Sequence, residues 1–361
     1  MVQARTWQIK PDGRPKTGAL YFPRIDQPWK AIETSVPPVI ADATLAVRLD
    51  WKAFTSHLVN RFETRGIRME VCEIPAWQIT ADRINTQSGD FALIAHKCRF
   101  QLPGLKIPSA FYMQEYMPWL FTLDTDGWGA GASAYPMALP QGIPDNGSFA
   151  HYQARLADRS LATKFPQAPR ASAQGAVAEF DIFMPLQIPH DQVIAYFSDV
   201  AEMDVVKSLV DFVRANNLKL ALKPHPANMN SMEIFRPFVD DTHVFWREDN
   251  IHDLIAASRA VYTLNSSVGF EAMLHEKPVV TFGRTPYDCV TIKGDINDQA
   301  TAWQACLDWI GKADSTAYRD FYAWYCESYA VDMSRPDIRN ASLERLVDAM
   351  IARVYGEAES A

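Results

Sequence analysis

The stretch Tyr262–Asp288, YTLNSSVGFEAMLHEKPVVTFGRTPYD, decides the fold, because it reads without a gap as strand, tight turn, helix, proline, strand and Gly-Arg loop. Ala260 to Leu264 is a short apolar strand. Asn265-Ser266-Ser267 then offers cap groups ahead of Gly269 and an apolar helix that runs to about His275. This spacing puts a helix N-terminus just beyond a strand, where free N–H groups and the positive end of the dipole suit a phosphate. The plainer reading of Ser266 and Ser267 is that they only cap a helix.

Two upstream segments share that design. Leu218 to Pro226, LKLALKPHP, is an apolar strand that stops at Lys223-Pro-His225-Pro, where two prolines fix a turn and aim Lys223 and His225 outward. Asp181 to Ile194, DIFMPLQIPHDQVI, reads as a strand over Ile182 to Leu186, then Gln187, a proline turn, and Asp191 opening a helix. Asp191 could be a simple N-cap. It also precedes His225 by about one βα unit, so both residues can reach one rim of a parallel sheet, just outside the carboxyl ends where open α/β sheets bind ligands. A carboxylate and an imidazole at that rim could serve as nucleophile and as acid/base or phosphate partner. Together the three segments imply a nucleotide-sugar enzyme of α/β class.

The ordered set Pro185-Leu186-Gln187-x3-Asp191, Lys223-Pro-His225-Pro226 and Thr263 to Arg284 resembles the capsule polysaccharide synthesis family of bacterial retaining β-Kdo glycosyltransferases, over roughly residues 110 to 290. Upstream, Glu115-Tyr116-Met117-Pro118-Trp119 and the loop from Asp124 to Gly129 are similar to that family's acidic Glu-x-x-Pro element and Asp/Gly loop. The chain departs from its relatives with Tyr116-Met117 where many show Gly-Trp, and with Glu276 where the helix end usually carries Gly. The resemblance implies a GT-B-like fold with two Rossmann-like domains facing a central cleft. CMP-Kdo would be the donor, bound by the C-terminal half, and a glycan or lipid-linked glycan the acceptor. It further implies a double displacement in which Asp191 is the nucleophile, Glu115 the general base and His225 a partner of the departing phosphate. Lys223, Ser266 and Ser267 would complete the donor cradle with Gln187 and Asn265; Arg284 would meet the nucleotide or the sugar carboxylate, and Glu271 the ribose hydroxyls.

Length and composition bound this reading. A chain of 361 residues suggests two domains, here 1–175 on the acceptor side, 176–335 for the donor, and a final helix, 336–361, returning to the first domain. A linker is expected at Ala171 to Ala178, after a loop and a polar helical stretch between Pro140 and Arg170. The net charge of −8 and the lack of a basic stripe argue against nucleic acid. The sequence shows no long apolar run and no signal-peptide core at its start, so the expectation is a cytoplasmic protein, which lipid-linked acceptors would draw to the inner membrane. Five scattered cysteines without a Cys-x-x-Cys pair read as reduced thiols, and eight histidines without ligand spacing imply no metal. Asp124-Thr-Asp126 has the Asp-x-Asp pattern of manganese-dependent transferases, but in a Gly-rich loop such carboxylates are commonly turn-formers. No cofactor is expected beyond the donor. Two other classes fit the residues: a GT-B enzyme using another nucleotide sugar, either a UDP-sugar transferase or an epimerase, and a non-catalytic glycan-assembly module.

Overall fold

The structure, a computed structural model, describes residues 6–23, 38–136, 138–140, 142–171, 177–189 and 191–356, with backbone only over 38–50. Most of the expected linker, 172–176, lies outside the described residues. By contacts the chain forms two units, Met1–Tyr135 with Cys326–Ala361, and Pro136–Tyr325.

The first unit is built on strands β1 (Thr17–Pro23), β2 (Arg68–Ile74), β3 (Phe91–Ala95), β4 (Ser109–Gln114), β5 (Leu120–Asp124) and, from the end of the chain, β12 (Val331–Asp332). Their order is β12-β5-β4-β3-β1-β2, parallel from β2 to β4 and antiparallel at β5 and β12. β3, FALIA, is buried at every residue, as a strand covered on both faces must be. Phe54, Leu58 and Phe62 form an i, i+4, i+8 stripe on the helix Pro38–Thr64, and Leu343, Val347 and Met350 form a similar one on the helix Pro336–Tyr355; both stripes enter the same core. At the rim Arg61 and Arg65 pair with Glu344 at 2.5 and 2.7 Å.

The second unit holds β6 (Phe180–Pro185), β7 (Leu220–Lys223), β8 (Val244–Trp246), β9 (Ser258–Thr263), β10 (Val279–Thr281) and β11 (Ile292–Lys293). All pairs are parallel, in the order β11-β10-β9-β6-β7-β8. Counted within the unit this is 3-2-1-4-5-6, the doubly wound dinucleotide order, whose direction reverses between β6 and β9. The helix Glu202–Ala215 buries Val205, Val206, Leu209, Val210 and Val213 over the sheet. Among the described residues no helix is long and apolar enough to cross a membrane.

The unit boundary differs from the 175/176 division suggested by composition. The helix Ser148–Ala157 belongs with the second unit, where Phe149 and Tyr152 pack on Tyr322 with ring centroids at 5.3 and 6.2 Å, and Gln153 Nε2 donates to Leu274 O at 3.1 Å. Its two inward aromatics are visible in the sequence, but nothing local says which unit they join.

Both departures from the family's glycines fall on left-handed backbone: Tyr116 has φ 47° and Glu276 φ 53°. Glu276 follows the C-cap His275, the position where glycine ordinarily ends a helix. Glu276→Gly should therefore raise unfolding free energy, by up to about 1 kcal/mol after the entropy of the freer unfolded chain is deducted. Urea denaturation of the two proteins reads this; an unchanged or lower midpoint would show that the 2.6 Å hydrogen bond from Ser315 Oγ to Glu276 Oε1 outweighs the strain.

Candidate functional site

In a sheet of this order ligands bind beyond the carboxyl ends of the two strands where the direction reverses, and there the structure builds a buried polar lock. Gln187 follows β6 and Asn265 follows β9. Gln187 Oε1 accepts from Asn265 N at 3.2 Å and Thr263 Oγ1 at 3.3 Å, and its Nε2 donates to Asn265 Oδ1 at 3.1 Å. Asn265 Nδ2 in turn donates to Val193 O at 2.9 Å. Beneath them the Gln187 N–H donates to Glu202 Oε1 at 2.7 Å, and burial pushes the Glu202 carboxyl up to about 8. Gln187 and Asn265, expected to touch the donor, have side chains that are buried and bonded to each other and to the main chain. They shape the site from behind.

Beside the lock lies a pocket of about 450 Å³, lined from three directions. Ser266, Ser267 and Glu271 come from the turn and helix after β9, Lys223 and His225 from the end of β7, and Lys164 with Phe165 from the segment before β6. Ser266 caps the helix Ser267–Leu274, accepting from Val268 N at 3.3 Å, so the plain capping role and a place on the pocket wall coexist. Gly269 is required by a close approach: a Cβ there would lie 2.5 Å from Tyr287 Oη, which donates to Ser266 O at 2.5 Å and so holds the turn.

Lys223 does not point outward as the proline pair suggested. It is buried, and its ammonium donates to Asp249 O at 2.8 Å and Glu248 O at 3.4 Å. Burial brings its pKa down to about 8, leaving it cationic at neutral pH. His225 Nδ1 accepts from Ala227 N at 3.2 Å and its ring meets Phe165 edge-on at 4.7 Å. Burial, and then the Lys223 charge, push it down to about 4, so it is a neutral imidazole with its proton on Nε2. Burial raises Glu271 to about 8.

The remaining expected residues stand elsewhere. Asp191 is exposed and caps the helix Gln192–Phe197, its Oδ1 accepting from Val193 N at 3.1 Å; it does not line this pocket. Arg284 does not line it either: its guanidinium bonds Asp199 Oδ2 at 2.5 Å and Tyr196 O at 3.2 Å, bracing the turn after that helix. Glu115, in the first unit, is buried in the β4–β5 turn, where Oε1 accepts from Thr122 Oγ1 at 2.8 Å and Gly129 N at 3.1 Å. Nearby, Asp124 Oδ1 accepts from the N–H groups of Asp126, Gly127 and Ser133, while Asp126 pairs with Arg99, so this Asp-x-Asp organises a loop. Sequence reasoning missed Lys164 and Phe165, which sit in a polar, proline-containing stretch without periodicity, and His252, which stands behind Glu271. For these no local signal exists.

Residues 147–320 match the family model described as capsule polysaccharide biosynthesis protein. Over this segment the chain is similar to the capsule polysaccharide synthesis family. Among curated proteins, Protein FixF of Sinorhizobium fredii (strain NBRC 101917 / NGR234) is 28% identical over 173 residues, 46% of this chain and 42% of that protein. The match thus spans less than half of the relative's length. Two structures of Thermosulfurimonas dismutans KpsC share the fold. The one described as beta Kdo 2,7 transferase has a TM-score of 0.51 at 15% identity, over 92% of this chain and 99% of that one. The one described as beta Kdo 2,4 transferase has 0.51 at 14%, over 81% and 94%. The fold class is thus the expected one, α/β with two Rossmann-like units of GT-B kind. The capsule-family match covers the whole pocket and its lock.

Glu202 gives the lock a pH signature. Its folded pKa of about 8 lies above the 4.5 of an ordinary glutamate. As pH rises from 4.5 to 8 the unfolded chain releases this proton and the folded chain keeps it, so stability falls through that window, by at most about 1.4 kcal/mol per pH unit. Glu202→Gln keeps an acceptor for the Gln187 N–H and has no proton to lose. Urea unfolding at pH 5 and pH 8 should show a smaller decline for the variant than for wild type; equal declines would mean that Glu202 ionises freely in the folded protein.

Proposed function

We propose that this chain is a retaining β-Kdo glycosyltransferase that moves Kdo from CMP-Kdo to a glycan or glycolipid acceptor in bacterial surface polysaccharide synthesis. The observation that carries this reading is the convergence of Lys223, His225, Ser266, Ser267 and Glu271, from two separate motifs, on one pocket beside the reversal point of a nucleotide-binding sheet. The capsule-family match supports the pathway class. The Kdo transfer named for the two KpsC structures, whose fold this chain shares, is the reason for preferring this donor.

The pocket's chemistry suits a departing nucleotide phosphate. Two ammonium protons of Lys223 go to main-chain carbonyls, which leaves one proton and the positive charge for an anion. His225, neutral and protonated on Nε2, donates a hydrogen bond to a phosphate oxygen without becoming charged. Amide groups of the first turn of Ser267–Leu274 add donors and the helix dipole. In the first step a carboxylate oxygen of Asp191 forms a bond to the anomeric carbon of Kdo and the bond to the CMP oxygen breaks, CMP leaving with the electron pair. In the second, the acceptor hydroxyl oxygen attacks that carbon, its proton passes to water, and Asp191 departs as carboxylate. Two inversions give net retention.

Intact-mass spectrometry of wild type and Asp191→Asn after incubation with CMP-Kdo, with CMP release followed in parallel, tests donor and nucleophile together. The expected result is a mass increase of one Kdo on wild type and none on the variant. Neither adduct nor CMP release would overturn the donor assignment, and an adduct on Asp191→Asn would move the nucleophile elsewhere.

A further inference from the structure

Behind Glu271 the second unit contains a row of groups for which the transfer chemistry has no use. Glu271 Oε2 lies 3.5 Å from His252 Nε2, and His252 Nδ1 lies 3.1 Å from His275 Nε2, with the two rings stacked at 5.4 Å. Glu271 and His252 are 3% and 2% exposed, while His275, at the helix end, is partly exposed. Neither Glu271 Oε2 nor His252 Nε2 has a hydrogen-bond partner among the described residues, and their 3.5 Å approach is longer than a well-formed hydrogen bond. His252 is held in place from its own helix: Asn250 accepts from the His252 N–H at 3.0 Å and anchors itself on Ala168 O at 2.7 Å.

Heavy-atom positions leave two proton arrangements open, because each nitrogen of a neutral imidazole is either donor or acceptor. With Glu271 protonated, its O–H donates to His252 Nε2, His252 Nδ1–H donates to His275 Nε2, and His275 Nδ1 carries a proton. Loss of that last proton to water lets His275 Nε2 take the proton from His252 Nδ1 and His252 Nε2 take the proton from Glu271. One proton leaves, both histidines end as neutral tautomers of the opposite kind, and Glu271 is a carboxylate accepting from His252 Nε2–H. The three groups therefore change together or not at all.

We infer that Glu271, His252 and His275 form a proton wire that converts the carboxyl on the pocket wall from a neutral acid to a carboxylate, so that a nucleotide presenting its ribose diol to Glu271 binds with release of one proton through His275. The ligand half of this inference rests on the nucleotide reading above; the wire itself does not. A carboxylate is the group that accepts from ribose hydroxyls in doubly wound nucleotide folds. Burial holds Glu271 as an acid up to about pH 8 against the opposing Lys164 charge, so at neutral pH a ligand that takes up the carboxylate displaces the proton. Burial, more than the surrounding charges, keeps the histidines neutral. Burial and then Arg170 lower His252 to about 4 against the opposing Asp253, which is itself ion-paired to Arg170 at 2.6 Å. Burial, then His252, Arg170 and Lys277, lower His275 to about 3. Lys223 and His225 line the same pocket but face the anion side.

Imidazole nitrogen NMR of the free protein, labelled at histidine, tests the wire without any ligand. His252 and His275 should exchange tautomer in one common step near pH 8 in wild type, with no step in Glu271→Gln; static tautomers, or a step that survives in Glu271→Gln, overturn the wire. Calorimetry with CMP at pH 7, in buffers of differing ionisation enthalpy, tests the coupling. Wild type should release about one proton more than Glu271→Gln, and His252→Gln and, as a milder change, His275→Gln should lose most of that excess. Equal release in all four proteins overturns the coupling, whereas no CMP binding by wild type overturns the nucleotide reading and leaves the wire to be judged by NMR.

Discussion

The parallel pairing of β6 with β9 is the constraint on which the second unit depends. It reverses the strand order and leaves two chain ends side by side beyond the sheet, each with main-chain groups that have lost their ladder partners. Gln187 answers this by accepting the Asn265 N–H and the Thr263 hydroxyl, and Asn265 continues to Val193 O. Each such bond contributes only about 1 kcal/mol net, but leaving a buried member unpaired costs about 1–3 kcal/mol, so the set acts as an all-or-none lock. The turn to Ser266 and the start of the pocket helix take their position from it.

Desolvation, more than ion pairing, sets the electrostatics around that pocket. Lys223, His225, Glu271 and Glu202 are each displaced from their ordinary pKa values chiefly by burial, and each toward the neutral form. The result is a site rich in titratable groups, with Lys223 cationic at neutral pH and Lys164 also on the pocket wall. In such surroundings one added anion interacts strongly, since little water or counter-charge screens it.

The first unit solves a different problem at its β4–β5 turn. Glu115 and Asp124 are buried acids that bind main-chain N–H groups of their own loop, so carboxylates as well as packing hold the Gly-rich segment Gly127–Gly131. Tyr116 turns the corner at φ 47°, without glycine's freedom, and is retained by burial of its side chain. Backbone strain and apolar burial are balanced within one residue.

Much of this was legible in the residues. Strand, turn, cap and helix from Ala260 to His275, the strand end at Lys223 and the cap at Asp191 follow from local rules of periodicity, proline placement and capping, which act over a few residues and leave their mark there. β5 and β12 were not legible: LFTLD follows a motif that draws attention to its polar flank, and a two-residue strand has no period. The sequence by itself determined which segments become strands and helices and which polar residues stand at strand ends. Only the tertiary structure decided that Gln187 and Asn265 bond each other, that Lys223 turns inward, that Phe149 and Tyr152 pack on Tyr322 in the second unit, and that His252 and His275 line up behind Glu271. Those outcomes depend on contacts between segments tens of residues apart, and on burial, which no local pattern encodes.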